Sequence, residues 1–357
     1  VDFAGAQLRG LVQTHPDYFP MYTVHGKWRH TGEAWTNWCE GFLGGQLWLI
    51  YRNTGDIWWR ERAEHYSLLI EGRKTDGSVH DLGFLFWPTW KRWYDLTGDP
   101  ALNTVVVEAG RTMALRFNER GRYLRSFVAP ESLFIDIMMN VGVVFYAAQQ
   151  TGDDRLCQVA SQHCLTTRRT LVRGDGSTAH EGLFDLTTGE FLRQSTHQGW
   201  RDDSSWARGQ AWALYGFGTA YSFTEDRRFL TTAQACADFY IERTPEHGVP
   251  PNDWDEPKPP LSYESSAAAI AAKGMWNLAT LTADTGDPVR ADLYRQYSLR
   301  ILDTLTTPEF LATETLGWEG ILKHGVYHQR KGLGVDESTM WGDYFFLEAI
   351  SAVLGYE

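Results

Sequence analysis

"WCEGFLGGQLWLIYRNTGD", residues 38–56, carries apolar side chains at helical spacing and then stops at Thr-Gly-Asp. Glycine just past a helix can take the left-handed conformation that ends it, and the aspartate after it can accept from the free N–H groups of the next helix. Those three residues therefore spell a tight helix-to-helix turn. "LGFLFWPTWKRWYDLTGD" (82–99) and "DIMMNVGVVFYAAQQTGD" (136–153) end alike, Thr285-Gly286-Asp287 repeats the mark, and "TED" at 224–226 is a weaker copy. After these marks come amphipathic stretches such as "IWWRERAEHYSLLIE" (57–71) and "PALNTVVVEAGRTMALRF" (100–117), then an irregular loop, then another apolar helix.

That order describes a chain of αα-hairpins whose marks fall at intervals too unequal for a uniform solenoid. About six hairpins fit the length, and six closing on themselves predict an all-α (α/α)6 toroid with apolar inner and amphipathic outer helices. An open helical superhelix is the alternative. Nothing in the composition divides the chain, so residues 1–357 read as a single domain, with the Pro-rich "PPNDWDEPKPP" (250–260) as a loop inside it.

The bulk numbers exclude several classes. A hydrophobic content of 43% over 357 residues supports a large buried core. No window is apolar and long enough to span a membrane, and no basic start with an apolar run marks a signal peptide. The first residue is Val1, so the expectation of a cytoplasmic protein leaves a periplasmic one open. A formal charge of -12 argues against nucleic acid, and an anionic substrate would need a local cationic pocket. Cys39, Cys157, Cys164 and Cys236 show no CxxC spacing and read as buried free thiols. Aromatic content reaches 14% with 16 Trp, a composition that suits sugar-binding pockets as well as helix packing.

Against this background two carboxylates stand out. "HDLGFLF" (80–86) places His80 and Asp81 at the start of an inner helix, where a capping role would account for the aspartate. Asp136 sits among Phe134, Ile135, Ile137, Met138 and Met139, where an ionised carboxylate must be paired, exposed to a cavity or protonated. A general acid needs the last of these environments. The densest polar and aromatic stretch, "STHQGWRDDSSWARGQAWALYGF" (195–217), puts Trp200, Trp206 and Trp212 around Arg208 in a loop before a helix expected from Ala211. On a helix Arg208 and Trp212 would share a face, and a guanidinium flanked by rings suits a carboxylated sugar. No metalloprotease, nucleophile-elbow, Walker or Rossmann motif is present. His324 and His328 have metal-ligand spacing, but no third ligand accompanies them, so no metal is expected.

Taken in order, "WCEGFLGGQLW", "HDLGFLF", "IDIMMN", "THQGWRDDSSWARGQAWALYGF", "SYESSAAAIAAKGM" and "GVYHQRKGLGVDESTMWGDYFFLEA" resemble the unsaturated glucuronyl hydrolases of glycoside hydrolase family 88. The likeness runs from about Trp35 to near the C-terminus. It implies an (α/α)6 toroid without metal or organic cofactor. The implied substrate is a lyase-generated oligosaccharide ending in a 4,5-unsaturated uronic acid, and the partners exclude nucleic acid and membrane. A monomer or weak homo-oligomer is expected. By resemblance Asp136 is the acid and then the base of a vinyl-ether hydration, and Asp81 is the second carboxylate, orienting the substrate. Trp38, His80, His180, Gln198, Trp206, Arg208 and Trp212 resemble the family's substrate pocket. Phe127 stands where relatives can carry Trp, and in "GVYHQRKGLG" only Lys331 agrees with a sulfate-preferring pattern, Val326 and Gln329 replacing serines. The related unsaturated rhamnogalacturonyl hydrolases, or a glycan-binding toroid without catalysis, are the competing readings.

Overall fold

Each Thr-Gly-Asp mark forms the turn its chemistry predicts. Gly55, Gly98 and Gly152 take φ of 70°, 71° and 67°, and Asp56, Asp99 and Asp153 accept from backbone N–H groups two residues on. In the weaker copy Glu225 is forced to φ 53° and Asp226 still caps the helix that follows. The computed structural model describes residues 1–28, 38–257 and 263–356. Part of the Pro-rich loop (258–260), Ser262 and the start of the family likeness at Trp35 lie outside the described residues.

Twelve helical segments among the described residues alternate between two layers. The outer ones are α1 (Asp2–Thr14), α3 (Ile57–Leu69), α5 (Pro100–Ala114), α7 (Asp154–Leu171), α9 (Arg227–Arg243) and α11 (Pro288–Leu305). The inner ones are α2 (Glu40–Thr54), α4 (82–97), α6 (137–151), α8 (Ala207–Thr224), α10 (Ser265–Asp284) and α12 (Met340–Val353). Pro88 lacks an N–H, and the middle of α4 widens there into a π turn, Trp87–Lys91. Inner helices pack in chain order and α12 returns against α2, so the six hairpins close into an (α/α)6 toroid rather than an open superhelix.

Glycine lets the inner ring close tightly. A Cβ on Gly41 of α2 would stand 2.2 Å from the carbonyl oxygen of Phe84 in α4, and one on Gly216 of α8 would stand 2.4 Å from that of Met138 in α6. No larger residue fits at either contact without moving backbone.

The irregular loops contain short strands. β1 (Ser132–Phe134) pairs with β2 (Glu181–Phe184), which pairs with β3 (Phe191–Ser195), and β4 (Gly325–His328) pairs with β5 (Leu333–Glu337), all antiparallel. The helix expected from Ala211 begins four residues earlier, at Ala207. Its N-cap, Trp206, makes no side-chain capping bond, so the usual start signal is missing. Among the described residues no helix is long and apolar enough to cross a membrane. Cys39, Cys164 and Cys236 are buried, but Cys157, on the outer face of α7, is exposed, which corrects the expectation of four buried thiols.

Candidate active site

All six inner helices run in the same sense, because each is reached through an outer helix of the opposite sense. The residues at or before several of their N-terminal ends meet at one mouth of the ring. Trp38, His80, Asp81, Phe127, Phe134, Asp136, Gln198, Arg208 and Tyr327 line a narrow cavity there. Helix N-termini carry partial positive charge, which, with Arg208, makes this mouth receptive to an anion on a chain of net charge -12.

Asp81 and Asp136 occupy the N-cap positions of α4 and α6, yet neither side chain caps its helix. The capping account of these carboxylates therefore fails. One oxygen of each, Oδ2, is buried without a hydrogen-bond partner. Asn140 fixes their spacing: its Oδ1 accepts from Phe84 N at 2.8 Å, and its Nδ2 donates to the carbonyl of Asp136 at 3.2 Å. A single amide thus ties the first turn of α4 to that of α6.

A histidine faces each carboxylate. His80 Nδ1 accepts from the N–H of Phe127 at 3.0 Å, which assigns its proton to Nε2, 3.3 Å from Asp81 Oδ1. His180 Nδ1 accepts from the N–H of His197 at 3.1 Å, which assigns its proton to Nε2, 3.6 Å from Asp136 Oδ2. Burial holds both imidazoles well below the usual histidine range, and nearby cations push the same way. Both are neutral N–H groups turned towards acids.

Burial also governs the acids. Loss of water raises Asp136 to about 6, against the opposing pull of the Arg208 guanidinium, its own backbone N–H and His197. Asp81 is raised well above the carboxylate range, first by burial and then by the charge of Asp136. Because the charge of Asp136 acts on Asp81, the two groups titrate as a coupled pair. Asp136 keeps 16% of its side chain exposed, so it reaches the cavity rather than being sealed behind it.

Arg208, in the first turn of α8, is 1% exposed. It donates to the carbonyls of Val326 and Tyr327 and to Oε1 of Gln198, and its guanidinium lies 4.4 Å from the Trp206 ring and 5.2 Å from that of Trp341. Glu264, the N-cap of α10, accepts from Val326 N at 3.0 Å and so fixes the strand that Arg208 holds. Arg208 and Trp212 lie one turn apart on α8, as the spacing predicts, but their side chains meet different partners. Helical side chains lean towards the N-terminus, so Arg208 reaches back to Trp206, while Trp212 packs inward on Phe84 and Phe345.

Of the residues singled out in the sequence, Trp38, His80, Asp81, Phe127, Asp136, Gln198 and Arg208 share the cavity wall. His180 and Trp206 stand directly behind it, their rings 4.7 Å apart. Trp212 and Lys331 are off the wall, Trp212 because it lies deeper in the ring and Lys331 because it ends an exposed turn, Gln329–Lys331. Sequence reasoning missed Phe134, Tyr327 and Asn140. Phe127 stacks on His80 at 5.1 Å and 19°. The place of Val326 and Gln329 is structural: Val326 is buried and Gln329 donates to Glu256 at 2.8 Å. His324 does not pair with His328 as a metal couple, since its nitrogens face Asp336 and the carbonyl of Glu309.

The model of Glycosyl Hydrolase Family 88 matches residues 17–228. The unsaturated glucuronyl hydrolase of Bacillus sp. (strain GL1) is 34% identical over 359 residues, covering 98% of this chain and 94% of its own. The crystal structure of the Bacillus sp. GL1 enzyme superposes with a TM-score of 0.91 at 32% identity, over 99% of this chain and 95% of that one. A variant of the unsaturated glucuronyl hydrolase of Streptococcus agalactiae, complexed with dGlcA-GalNAc6S, gives 0.83 at 29% identity, over 100% and 90%.

Proposed function

The chain belongs to glycosyl hydrolase family 88, and from that premise we propose that it removes a 4,5-unsaturated uronic acid from the non-reducing end of glycosaminoglycan-type oligosaccharides. One observation carries the reading. Two carboxylates without capping duties, Asp81 buried and Asp136 reaching the cavity, converge, each faced by a neutral imidazole N–H, in an aromatic cavity that also holds a guanidinium.

Asp136 is the acid and then the base. In its protonated form it gives its proton to C4 of the vinyl ether, which leaves positive charge shared between C5 and the ring oxygen. Water adds at C5 and returns a proton to the Asp136 carboxylate. The C5 hemiketal opens to a ketone, the former ring oxygen becomes a hydroxyl on C1, and C1 expels the remaining sugar and becomes an aldehyde. One water is consumed and the enzyme is restored. His180 Nε2–H stabilises the Asp136 carboxylate once the proton has left. Asp81, whose carboxyl burial pushes well above its ordinary range, hydrogen-bonds a sugar hydroxyl and orients the ring. Because no group attacks the anomeric carbon, carboxylate separation does not decide a stereochemical outcome.

The test uses two substrates. An unsaturated disaccharide absorbs in the ultraviolet through its conjugated enol-ether carboxylate, and hydration abolishes the band. The protein is expected to abolish it and to leave the corresponding saturated disaccharide intact. Cleavage of the saturated sugar at a comparable rate would mean direct glycosidic hydrolysis and would overturn the reading.

A further inference from the structure

Away from the active-site cavity, two turns pressed together frame a basin of about 630 Å³, lined by Arg120, Arg122, Arg169, Thr170, Glu190 and Phe191 among others. One turn closes the small hairpin that pairs Asn118 with Tyr123, and the other closes the β2–β3 hairpin. Arg120 Nη1 donates to the carbonyl of Thr187 at 2.7 Å. A Cβ on Gly189, which already holds φ +79°, would lie 2.4 Å from the Arg120 backbone. The two turns thus touch, backbone against backbone, along the rim of the basin.

Its charge runs against that of the molecule. Among the described residues none of the three arginines is in an ion pair, and Glu190 is the lone carboxylate in the lining, on a chain of net charge -12. Arg122 holds φ 58°, a conformation that glycine would take more cheaply, so an arginine is kept there at some conformational cost. Phe191 is 37% exposed beside these guanidinium groups, and Leu192 next to it is 61% exposed. Unpaired guanidinium groups recognise carboxylate or sulfate, and an exposed ring offers a platform for the apolar face of a sugar.

We propose that this basin is a second saccharide-binding site, taking an acidic glycan chain whose carboxylate or sulfate groups pair with Arg122 and Arg169 while a sugar face lies on Phe191. β2 runs Glu181–Phe184, so at about 3.3 Å per residue the basin lies roughly 13 Å along the strand from His180 and is separate from the catalytic cavity. The choice of ligand class rests on the proposed function; the positive basin does not.

Affinity electrophoresis of the whole protein through gels containing chondroitin, whose internal units carry no 4,5-double bond, tests the site. The wild type is expected to be retarded by chondroitin at low salt and not by neutral dextran. The triple variant Arg120→Ser, Arg122→Gly, Arg169→Ser should lose at least tenfold of that affinity, while hydrolysis of an unsaturated disaccharide stays within twofold of wild type. A control with Arg227, Arg295 and Arg300 changed to Ser removes equal charge elsewhere and should be retarded like wild type. Equal retardation of the triple variant, equal loss in the control, or retardation by dextran would each overturn the proposal. If wild type binds chondroitin through the basin but hydrolyses no unsaturated disaccharide, the hydrolase reading falls and the site stands.

Discussion

Asp136 must carry a proton to start the reaction, and burial raises its pKa to about 6. Its acid form is therefore lost as pH rises through about 6, and kcat/KM for the unsaturated disaccharide should fall with one proton on that limb; a flat profile from pH 5 to 8 would exclude Asp136 as the acid. The Arg208 charge opposes the effect of burial, so Arg208→Met should raise the Asp136 value and move the limb to higher pH even as the rate falls. An unmoved limb would show that the guanidinium does not act on this carboxylate. Asn140→Ala removes the amide that joins the two N-caps and leaves the buried Phe84 N–H without its acceptor. The expected result is a loss of about 1–3 kcal/mol in stability and a kcat reduced more than KM, read from denaturant unfolding and steady-state kinetics. Asp81 and Asp136 were legible because a carboxylate in an apolar run demands an explanation. Asn140 was not, since an amide at the end of "IDIMMN" looks ordinary until its partner on another helix is known. The tautomers of His80 and His180 were equally hidden, because each is fixed by an N–H far away in the chain.

The helical punctuation could be read directly, because Gly and Asp act on their immediate neighbours. Gly98 has open space around its missing Cβ, so Gly98→Ala should cost about 1–2 kcal/mol through backbone conformation alone. The weak copy gives the opposite sign. Glu225 holds the left-handed conformation that glycine fills at the other turns, so Glu225→Gly should raise the melting temperature. A fall in melting temperature would mean that the side chain of Glu225 does more than occupy the turn. The strands β1 to β5 could not be read from sequence, being three to five residues long and defined by partners rather than by alternation. The start of α8 belongs with them, since its N-cap Trp206 makes no side-chain capping bond to mark it.

At the scale of the whole ring, closure performs the catalytic assembly. Asp81, Asp136 and Arg208 lie far apart in sequence and become neighbours only because the inner helices present the same ends to one mouth. Hairpin count and helical periodicity pointed to a toroid but left an open superhelix as the alternative, and the family resemblance that set Trp212 and Lys331 in the pocket did not assign depth: neither side chain lines this cavity. Depth depends on how far each side chain leans along its helix, and pattern alone does not carry that. The central claim is that Asp136 delivers a proton to the sugar alkene, and the ultraviolet band of an unsaturated disaccharide measures this delivery directly. With Asp136→Asn, which keeps the shape and removes the proton, loss of the band should slow by about 10²–10⁴-fold while the disaccharide still binds. Loss of the band within tenfold of the wild-type rate would contradict the account.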